Sequence, residues 1–314
     1  MAMENLTGEG NQETYEQKFC SGELTEGIHI QLKCLSALNI FMSIFTFLEN
    51  TLILVALQRE SSLHPPTKLL FRCLATTDLC VGLFTEPFIV AYWMSVVNER
   101  WDICRHALAS SSVTGYFLCS VSLLTVTAIS VDRLLALLLG LRYRQVVSLK
   151  RTYVIVTVFG VVSIVGATLD FWNYLVSAYY NYVTLTLCLV VSLFSYTKIL
   201  ITLRQQQIQV SSFIHVQLSQ QGQPGQTSQL NIERYKKAAF SALWLQLTLV
   251  VCYLPYGVLA AFWTTSSFIF LARQFALTLV LLNSSLNPIL YCWKITEVRQ
   301  AVKDTIRQLC HSPN

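Results

Sequence analysis

Seven long apolar runs constrain what this chain can fold into. They occupy residues 35–57, 69–94, 107–139, 153–172, 182–203, 238–263 and 268–293. An α-helix needs about 20 predominantly apolar residues to cross the hydrocarbon core of a bilayer, where its backbone polar groups must be satisfied internally. The runs therefore predict seven membrane-spanning helices, with the two chain ends on opposite sides of the membrane.

The composition also indicates a membrane protein. Of the 314 residues, 54% are hydrophobic and only 12% are charged, whereas a soluble domain carries about 25% charged residues. We expect one membrane domain over residues 34–293, after a glutamate-rich tail over residues 1–33 whose composition predicts disorder. The first apolar run is too long for the core of a signal peptide, so we expect it to remain as an anchor.

The distribution of basic residues predicts the orientation. With the N-terminus outside, seventeen of the 22 lysine and arginine residues fall on the inner side, as the positive-inside rule requires. The net charge of +5 follows from this asymmetry, so we do not expect a nucleic-acid partner. Asn5-Leu-Thr7 lies in the outer tail and fits the N-glycosylation pattern, which makes Asn5 a candidate acceptor.

Two inner segments differ from the apolar runs. Residues 205–233 are rich in Gln, Ser and Gly and predict a flexible inner loop. Residues 294–314 alternate apolar and basic side chains at helical spacing, which predicts an amphipathic helix on the membrane surface. Cys310 near its end is a candidate for palmitoylation, the alternative being an unmodified cysteine. The fold class is thus an all-α membrane protein, a seven-transmembrane helix bundle with a C-terminal amphipathic helix.

Ionisable residues inside apolar runs are the first functional candidates, because charges within a bilayer are costly. Asp78 lies in the middle of the second run. Asp132 and Arg133 come together at the end of the third run, followed by a basic segment, so this end should meet the inner membrane surface.

Two motifs carry a family resemblance. Asp132-Arg-Leu134 and Asn287-Pro-Ile-Leu-Tyr291 resemble the Asp-Arg-Tyr and Asn-Pro-x-x-Tyr motifs of rhodopsin-like (class A) G-protein-coupled receptors. The resemblance covers about residues 32–310. Three further segments are most similar to the branch of melanocortin, lysosphingolipid, cannabinoid and adenosine receptors, and to melanocortin receptors above all: Leu48-Glu-Asn50, Leu63-His-Pro-Pro66 and Cys73-Leu-Ala-Thr-Thr-Asp78.

The resemblance implies a multi-pass receptor of the plasma membrane with an extracellular N-terminus. Such a receptor binds an extracellular ligand, activates a heterotrimeric G protein, engages arrestin and receptor kinases, and performs no catalysis. Asp132 would hold Arg133 by a bidentate pair in the resting state. The residues that match the family's activation switch are Asp132, Arg133, Tyr196, Asn287, Pro288 and Tyr291.

The resemblance also implies a polar network around Asp78. In the family, the corresponding network is similar to a sodium site coupled to activation. Carboxylate, hydroxyl and amide oxygens suit such a hard cation. The alternative is a hydrated polar network without a specific ion. No other cofactor is expected. The matching residues are Asn50, Asp78, Ser122, Asn283, Ser284 and Asn287.

The sequence departs from the family pattern in its outer cysteines. The family's usual helix-3 cysteine is Leu108 here, and the link between the fourth and fifth runs, residues 173–181, has no cysteine. The usual disulfide therefore cannot form, and the short link suggests an open or laterally accessible pocket. We hypothesise instead a bond from Cys104 to either Cys20 or Cys34; sequence alone leaves the choice open. Gly140 replaces a common proline, which leaves the helicity of that loop unspecified.

The family's ligand pocket maps onto six candidates: Glu86, Gly115, Cys119, Tyr253, Tyr256 and Arg273. Tyr253 stands where tryptophan is usual and could equally serve in aromatic packing, while Glu86 and Arg273 could face water. Gly115 and Leu281 replace an aspartate and a lysine that amine and retinal receptors need. Amine and retinal ligands are therefore disfavoured. The missing disulfide and the short link after the fourth run favour a peptide or a lipid, with adenosine as the alternative. The alternative function, a transporter or channel, would call for internal repeats, which the sequence does not show.

Overall fold

The structure is a computed structural model that describes residues 19–22, 27–59, 63–172, 174–218, 247–259, 266–294 and 296–311. This part of the chain is helical and contains no strand. Its eight principal helices are α1 (His29–Arg59), α2 (Pro65–Val97), α3 (Trp101–Leu139), α4 (Leu149–Trp172), α5 (Tyr174–Leu218), α6 (Leu247–Leu259), α7 (Ser267–Lys294) and α8 (Thr296–His311).

The chain forms a seven-transmembrane helix bundle, as the apolar runs predict. Six helices, α1 to α5 and α7, are long and apolar enough to cross a membrane, and the described part of α6 is a shorter apolar helix. Helix α3 lies at the centre and packs against α2, α4 and α5. Accordingly, 56% of its apolar span is buried, against 22% for α4, whose remaining surface suits lipid.

Helix α5 extends beyond its predicted boundaries at both ends. The loop prediction for residues 205–233 is wrong over its first part, because α5 continues to Leu218. The predicted link over residues 173–181 is likewise mostly helical, since α5 begins at Tyr174. Both extensions prolong a helix that already exists, so each added residue gains a hydrogen bond without a new nucleation cost. Glutamine, frequent after Arg204, is also a good helix former.

Helix α2 contains a π-helical segment, Val81–Thr85. Within it, Gly82 lies against α1: Ser43 Oγ donates a hydrogen bond of 2.7 Å to Gly82 O. A Cβ atom on Gly82 would lie 3.1 Å from the Ser43 carbonyl oxygen and 3.2 Å from Thr46 Cβ. The glycine therefore permits the close approach of α1 and α2 at this level.

The structure pairs Cys20 with Cys104 in a disulfide bond, while Cys34 is free and exposed. Of the two partners left open by the sequence, Cys20 is the one bonded. The expected disordered tail thus ends earlier than residue 33. The disulfide fixes Cys20 to the start of α3, and α1 begins at His29. The covalent link orders a segment whose composition alone predicts disorder.

At the opposite end, α8 packs beside α1. Val298, Ala301 and Val302 belong to the same buried cluster as Ile53 and Leu57 of α1. Arg59 at the end of α1 donates a hydrogen bond to the Gln308 side chain. The predicted amphipathic helix is therefore seated on the bundle through its apolar face. The two ends are called below the Cys20 end and the α8 end.

Candidate functional site

A cavity of about 200 Å³ opens among α2, α3, α5, α6 and α7, towards the Cys20 end. Five of the six predicted pocket residues line it: Gly115, Cys119, Tyr253, Tyr256 and Arg273. Gly115 has no side chain and leaves space beside α2. A Cβ atom added to Gly115 would lie 3.5 Å from Thr85 Cγ2. The cavity therefore extends between α2 and α3 to the level of Cys119.

Glu86 is not among the residues that line the cavity, although the sequence predicted it there. Its neighbours Thr85 and Ile89 line the wall, while Glu86 is completely buried and neither carboxylate oxygen has a hydrogen-bond partner. The physical reason lies in the preceding π-helical turn. An extra residue in a turn rotates the following side chains by about 100° around the helix.

The cavity walls are mainly aromatic and aliphatic. They include Tyr92, Tyr116, Tyr182 and five leucines, and Arg273 is the one charged side chain among the lining residues of the described chain. Arg273 Nε donates to Leu259 O at 3.2 Å, which joins α7 to the end of α6. Walls of this kind suit a ligand with a large apolar body and few polar groups.

An N-terminal residue also reaches the cavity. Phe19 lines it, and its ring lies 6.0 Å from the ring of Phe270 on α7, measured between centroids. Tyr92 OH on α2 donates to Phe19 O at 3.3 Å. Cys20, the next residue, is bonded to Cys104. The segment before α1 therefore contributes to the wall of the cavity at the Cys20 end.

Asp78 lies at the centre of a fully buried polar cluster. Its Oδ1 accepts hydrogen bonds from Ser122 Oγ at 2.8 Å and from Ser284 Oγ at 2.9 Å. Its Oδ2 accepts one from Asn287 Nδ2 at 2.8 Å. Three of the predicted partners, contributed by α3 and α7, are thus in direct contact with the carboxylate.

The other two predicted members do not contact the carboxylate through a hydrogen bond. Asn50 Nδ2 donates to the Ser284 backbone carbonyl at 3.2 Å and to Thr46 O at 2.9 Å, so it joins α1 to the cluster indirectly. Asn283 is buried, and neither its amide oxygen nor its nitrogen has a partner. It precedes Asn287 by four residues and thus shares its face of α7.

Asp132 forms a second polar cluster near the α8 end. Tyr143 OH donates to its Oδ1 at 2.5 Å, and Thr67 Oγ1 donates to its Oδ2 at 3.0 Å. Thr67 and Tyr143 are themselves 3.1 Å apart at their oxygens. The His64 ring lies 5.2 Å from that of Tyr143. The carboxylate thus connects α3 to the start of α2 and to the inner loop.

The structure does not contain the predicted bidentate pair between Asp132 and Arg133. A single nitrogen, Nη2, contacts Asp132 Oδ2 at 3.0 Å. Arg133 Nε is buried without a hydrogen-bond partner. The other carboxylate oxygen, Oδ1, accepts its hydrogen bond from Tyr143.

The other described switch candidates are Tyr196, Asn287 and Pro288. Tyr196 on α5 is buried with Leu134, Ile199 and Leu203, and Asn287 contacts Asp78 instead. Pro288 lies inside α7. The side chains of Tyr291 and Cys310, and the whole of Asn5, lie outside the described residues.

Sequence reasoning missed Thr67, Tyr143 and Phe19. Thr67 and Tyr143 lie where charge and apolar patterns carry little information, at a helix start and in a loop. Gly140 is the usable signal for Tyr143. Its φ of +50° ends α3 in a conformation that suits glycine, and the chain then forms a 3-10 turn, Gly140–Arg142, before the short helix Tyr143–Val146. For Phe19, the signal is its position next to a cysteine.

The three sites follow one another along α2. Thr67 contacts Asp132, Asp78 follows eleven residues later, and Thr85 lines the cavity after seven more. With a rise of 1.5 Å per residue, these steps are about 16 Å and about 10 Å. The Asp78 cluster therefore lies between the cavity and the Asp132 cluster, and α3 runs past all three.

A comparison with known families gives one match. The family described as 7 transmembrane receptor (rhodopsin family) matches residues 49–173 and 166–291. The matched residues include the Asp78 and Asp132 clusters and all the cavity residues except Phe19. No group of three or more His, Cys, Asp or Glu side chains that could hold a metal ion occurs within the described ranges.

Proposed function

Since the chain belongs to the rhodopsin family of seven-transmembrane receptors, we propose that it binds an extracellular ligand in the cavity and activates a heterotrimeric G protein at the α8 end. In this proposal it resides in the plasma membrane with its N-terminus outside. The observation that carries the proposal is the serial arrangement of cavity, Asp78 cluster and Asp132 cluster along α2 and α3. Arrestin and receptor kinases would be further partners of the activated receptor.

Activation in this proposal changes the partners of Asp132 and Arg133. A ligand shifts the equilibrium only as far as it binds one state more tightly than the other. A ligand between α3, α6 and α7 would favour a rearrangement of these helices, and Arg133 would leave Asp132 for the G protein. Tyr196, Asn287, Pro288 and Tyr291 would take part, as the resemblance implies. The single contact between Asp132 and Arg133 suits a pair that must separate.

The cavity favours an amphipathic ligand, a peptide or a lipid, over adenosine. Its tyrosine and leucine walls offer apolar area, and Arg273 and Gln274 offer polar contacts on one side. Gln274 Oε1 accepts a hydrogen bond from Trp93 Nε1 at 2.9 Å, which fixes its position between α2 and α7. The likeness to melanocortin receptors rests on the sequence resemblance alone, and it remains part of the proposal as a statement about the branch of the family, not about the ligand.

We also propose that the Asp78 cluster holds a sodium ion. The donor set fits, because it combines one carboxylate, two serine hydroxyls and the buried, unpartnered amide oxygen of Asn283 on the Asn287 face of α7. Hard cations prefer such oxygen ligands. The ion would neutralise the buried carboxylate and link α2, α3 and α7 in the resting state.

The test of receptor function is basal G-protein activation in transfected cells, measured across a panel of Gα subunits. Arg133→Ala is compared with the unmodified receptor at matched surface expression. We expect a signal with at least one Gα, reduced by about tenfold in the variant, because Arg133 would contact the G protein through charge-assisted hydrogen bonds.

Arg105→Ala is the matched control, since Arg105 is an exposed arginine at the other end of α3. Its signal should equal that of the unmodified receptor. Equal signals from all three proteins would contradict the role of Arg133. Ligand-dependent ionic current would favour a channel instead.

A further inference from the structure

We propose that Phe19, held in place by the Cys20–Cys104 bond, covers the cavity and selects its ligands by size. The inference rests on the proposed function, in which the cavity is the ligand site. Nothing in the family match includes this residue, since the match begins at residue 49. The segment that carries Phe19 therefore lies outside the matched residues.

Three contacts hold Phe19 at the mouth of the cavity. The neighbouring Cys20 is bonded to Cys104, and both cysteines are buried, with 7% and 0% of their surface exposed. The backbone carbonyl of Phe19 accepts the hydrogen bond from Tyr92 OH. The ring packs beside Phe270 on α7. These contacts come from α3, α2 and α7, so the cover is fixed on three sides of the opening.

The chain has little other material at this position. Helix α4 ends at Trp172 and α5 begins at Tyr174, so the second connection on this side is too short to fold over the bundle. The sequence predicted an open pocket on this ground. The structure instead places Phe19 among the lining residues. The disulfide fixes this residue's segment in the position that a longer connection between α4 and α5 could occupy.

The position of Phe19 implies selection by size. A ligand that enters between α2 and α7 passes Tyr92, Phe270 and the Phe19 ring. A small molecule can pass with a small rotation of one ring. A bulkier one requires the whole segment to move, and the disulfide opposes that movement because it fixes the adjacent residue. Removing the ring, or releasing the bond, should therefore favour the bulkier entrant.

The test uses Ser112→Cys as a reporter, because Ser112 lines the cavity on α3. The purified receptor is labelled with 2-aminoethyl methanethiosulfonate and, separately, with its biotin derivative, which has the same reactive group and greater bulk. Mass spectrometry follows modification of the peptide that contains position 112. Fragment spectra assign the modification to position 112 and distinguish it from modification of Cys119, a free thiol that lines the same cavity. The measured quantity is the ratio of the two labelling rates, small reagent over large.

Phe19→Ala should lower this ratio by about fivefold or more, because it removes the obstacle that gates the bulky reagent. Cys20→Ala, which releases the segment without altering α3, should lower it similarly. Phe268→Ala is the matched control. Phe268 is a phenylalanine at the same end of α7 with 78% of its surface exposed, and it does not line the cavity. It should leave the ratio unchanged.

An unchanged ratio in Phe19→Ala, or an equal change in Phe268→Ala, would overturn the proposal. So would the absence of labelling at position 112 in every variant, since the cavity must be reached past Phe19. Phe19→Ala keeps the disulfide, so the test does not depend on how the receptor tolerates its loss. Labelling needs no G protein, so a failure of coupling would leave this result standing.

Discussion

Asp78 binds three neutral donors in the middle of a membrane helix, and those donors come from two other helices. The carboxylate therefore joins α2, α3 and α7 through its own hydrogen bonds. Asn283, four residues before Asn287 on the same face of α7, is buried and its amide has no hydrogen-bond partner. In the proposed sodium site, its amide oxygen would be a further ligand of the ion.

Asp78→Asn should abolish any stabilisation of the receptor by sodium. A ligand at ten times its dissociation constant stabilises the folded state by about 1.4 kcal/mol, which raises the melting temperature by about 3 °C. We expect a rise of this size in sodium chloride relative to choline chloride at equal ionic strength, and none in the variant. Glu49→Gln, a change of another acid in a membrane helix, should retain the rise. Sodium stabilisation that persists in Asp78→Asn would exclude this site.

Tyr143→Phe should lower basal G-protein activation. The expected decrease is only about two- to threefold, because charge-assisted contacts of a partly exposed arginine are modest. The substitution frees Asp132 Oδ1, which can then accept a second hydrogen bond from Arg133, whose Nε has no partner. A bidentate pair holds the resting state more firmly. The measurement is nucleotide exchange on the coupled Gα at matched surface expression.

Tyr153→Phe is the control for Tyr143→Phe, since Tyr153 is an exposed tyrosine at the start of α4. It should leave basal activation unaltered. Higher basal activation in Tyr143→Phe would show that the tyrosine itself maintains the resting state, contrary to the competition argued here.

Among the elements, α1 and α2 approach each other closely at Gly82, where a Cβ atom would lie 3.1 Å from a backbone oxygen of α1. The π-helical segment around Gly82 also turns Glu86 away from the cavity. One short irregular stretch thus determines both the packing of two helices and which residues of α2 face the ligand.

Gly82→Val should lower the melting temperature of the receptor by several degrees. Overpacking of this kind typically costs about 1–3 kcal/mol, and an added Cβ already meets atoms at 3.1–3.3 Å. Gly160→Val is the matched control, because an added Cβ at Gly160 on α4 meets nothing within 4 Å. Thermal unfolding in detergent, monitored through a thiol-reactive dye, compares the two. Equal melting temperatures would mean that α1 and α2 can separate there without loss.

Helix positions are predictable from the sequence because hydrocarbon imposes length and apolarity on each span. Asp78 and Asp132 are detectable for the same reason, since charges stand out in apolar runs. The π-helical segment has no such signal, so the sequence does not predict that Glu86 is buried and outside the cavity lining. Tyr143, Thr67 and Phe19 depend on how a loop turns or on which cysteine bonds, and these are outcomes of the complete fold.

For the whole molecule, the distribution of charge predicts an N-terminus outside the cell. An N-terminal epitope tag should be detected by antibody on intact cells, and a C-terminal tag only after permeabilisation. The reason is the excess of lysine and arginine on the side of α8. Detection of the C-terminal tag on intact cells would reverse the orientation.

Glycosylation provides an independent reading of the same topology. Treatment with an N-glycosidase should increase the electrophoretic mobility of the receptor, and Asn5→Gln should abolish this change, because Asn5-Leu-Thr7 would lie in the lumen during synthesis. Asn11→Gln, in the same tail but outside any such triplet, should retain it. A mobility change that persists in Asn5→Gln would place the glycan elsewhere.

The shared hydrogen bonds of Asp132 have a consequence for the ease of switching. When one partner leaves a buried ion pair, the stranded charge typically costs about 3–5 kcal/mol. Here Thr67 and Tyr143 would continue to donate to the carboxylate after Arg133 departs. The hydrogen bonds that would stabilise the Asp132 carboxylate without Arg133 are thus already formed before the pair separates. In the proposed switch, these hydrogen bonds would lower the cost of separating the pair towards the coupling free energy of about 1–3 kcal/mol that is typical for a ligand acting at a distance.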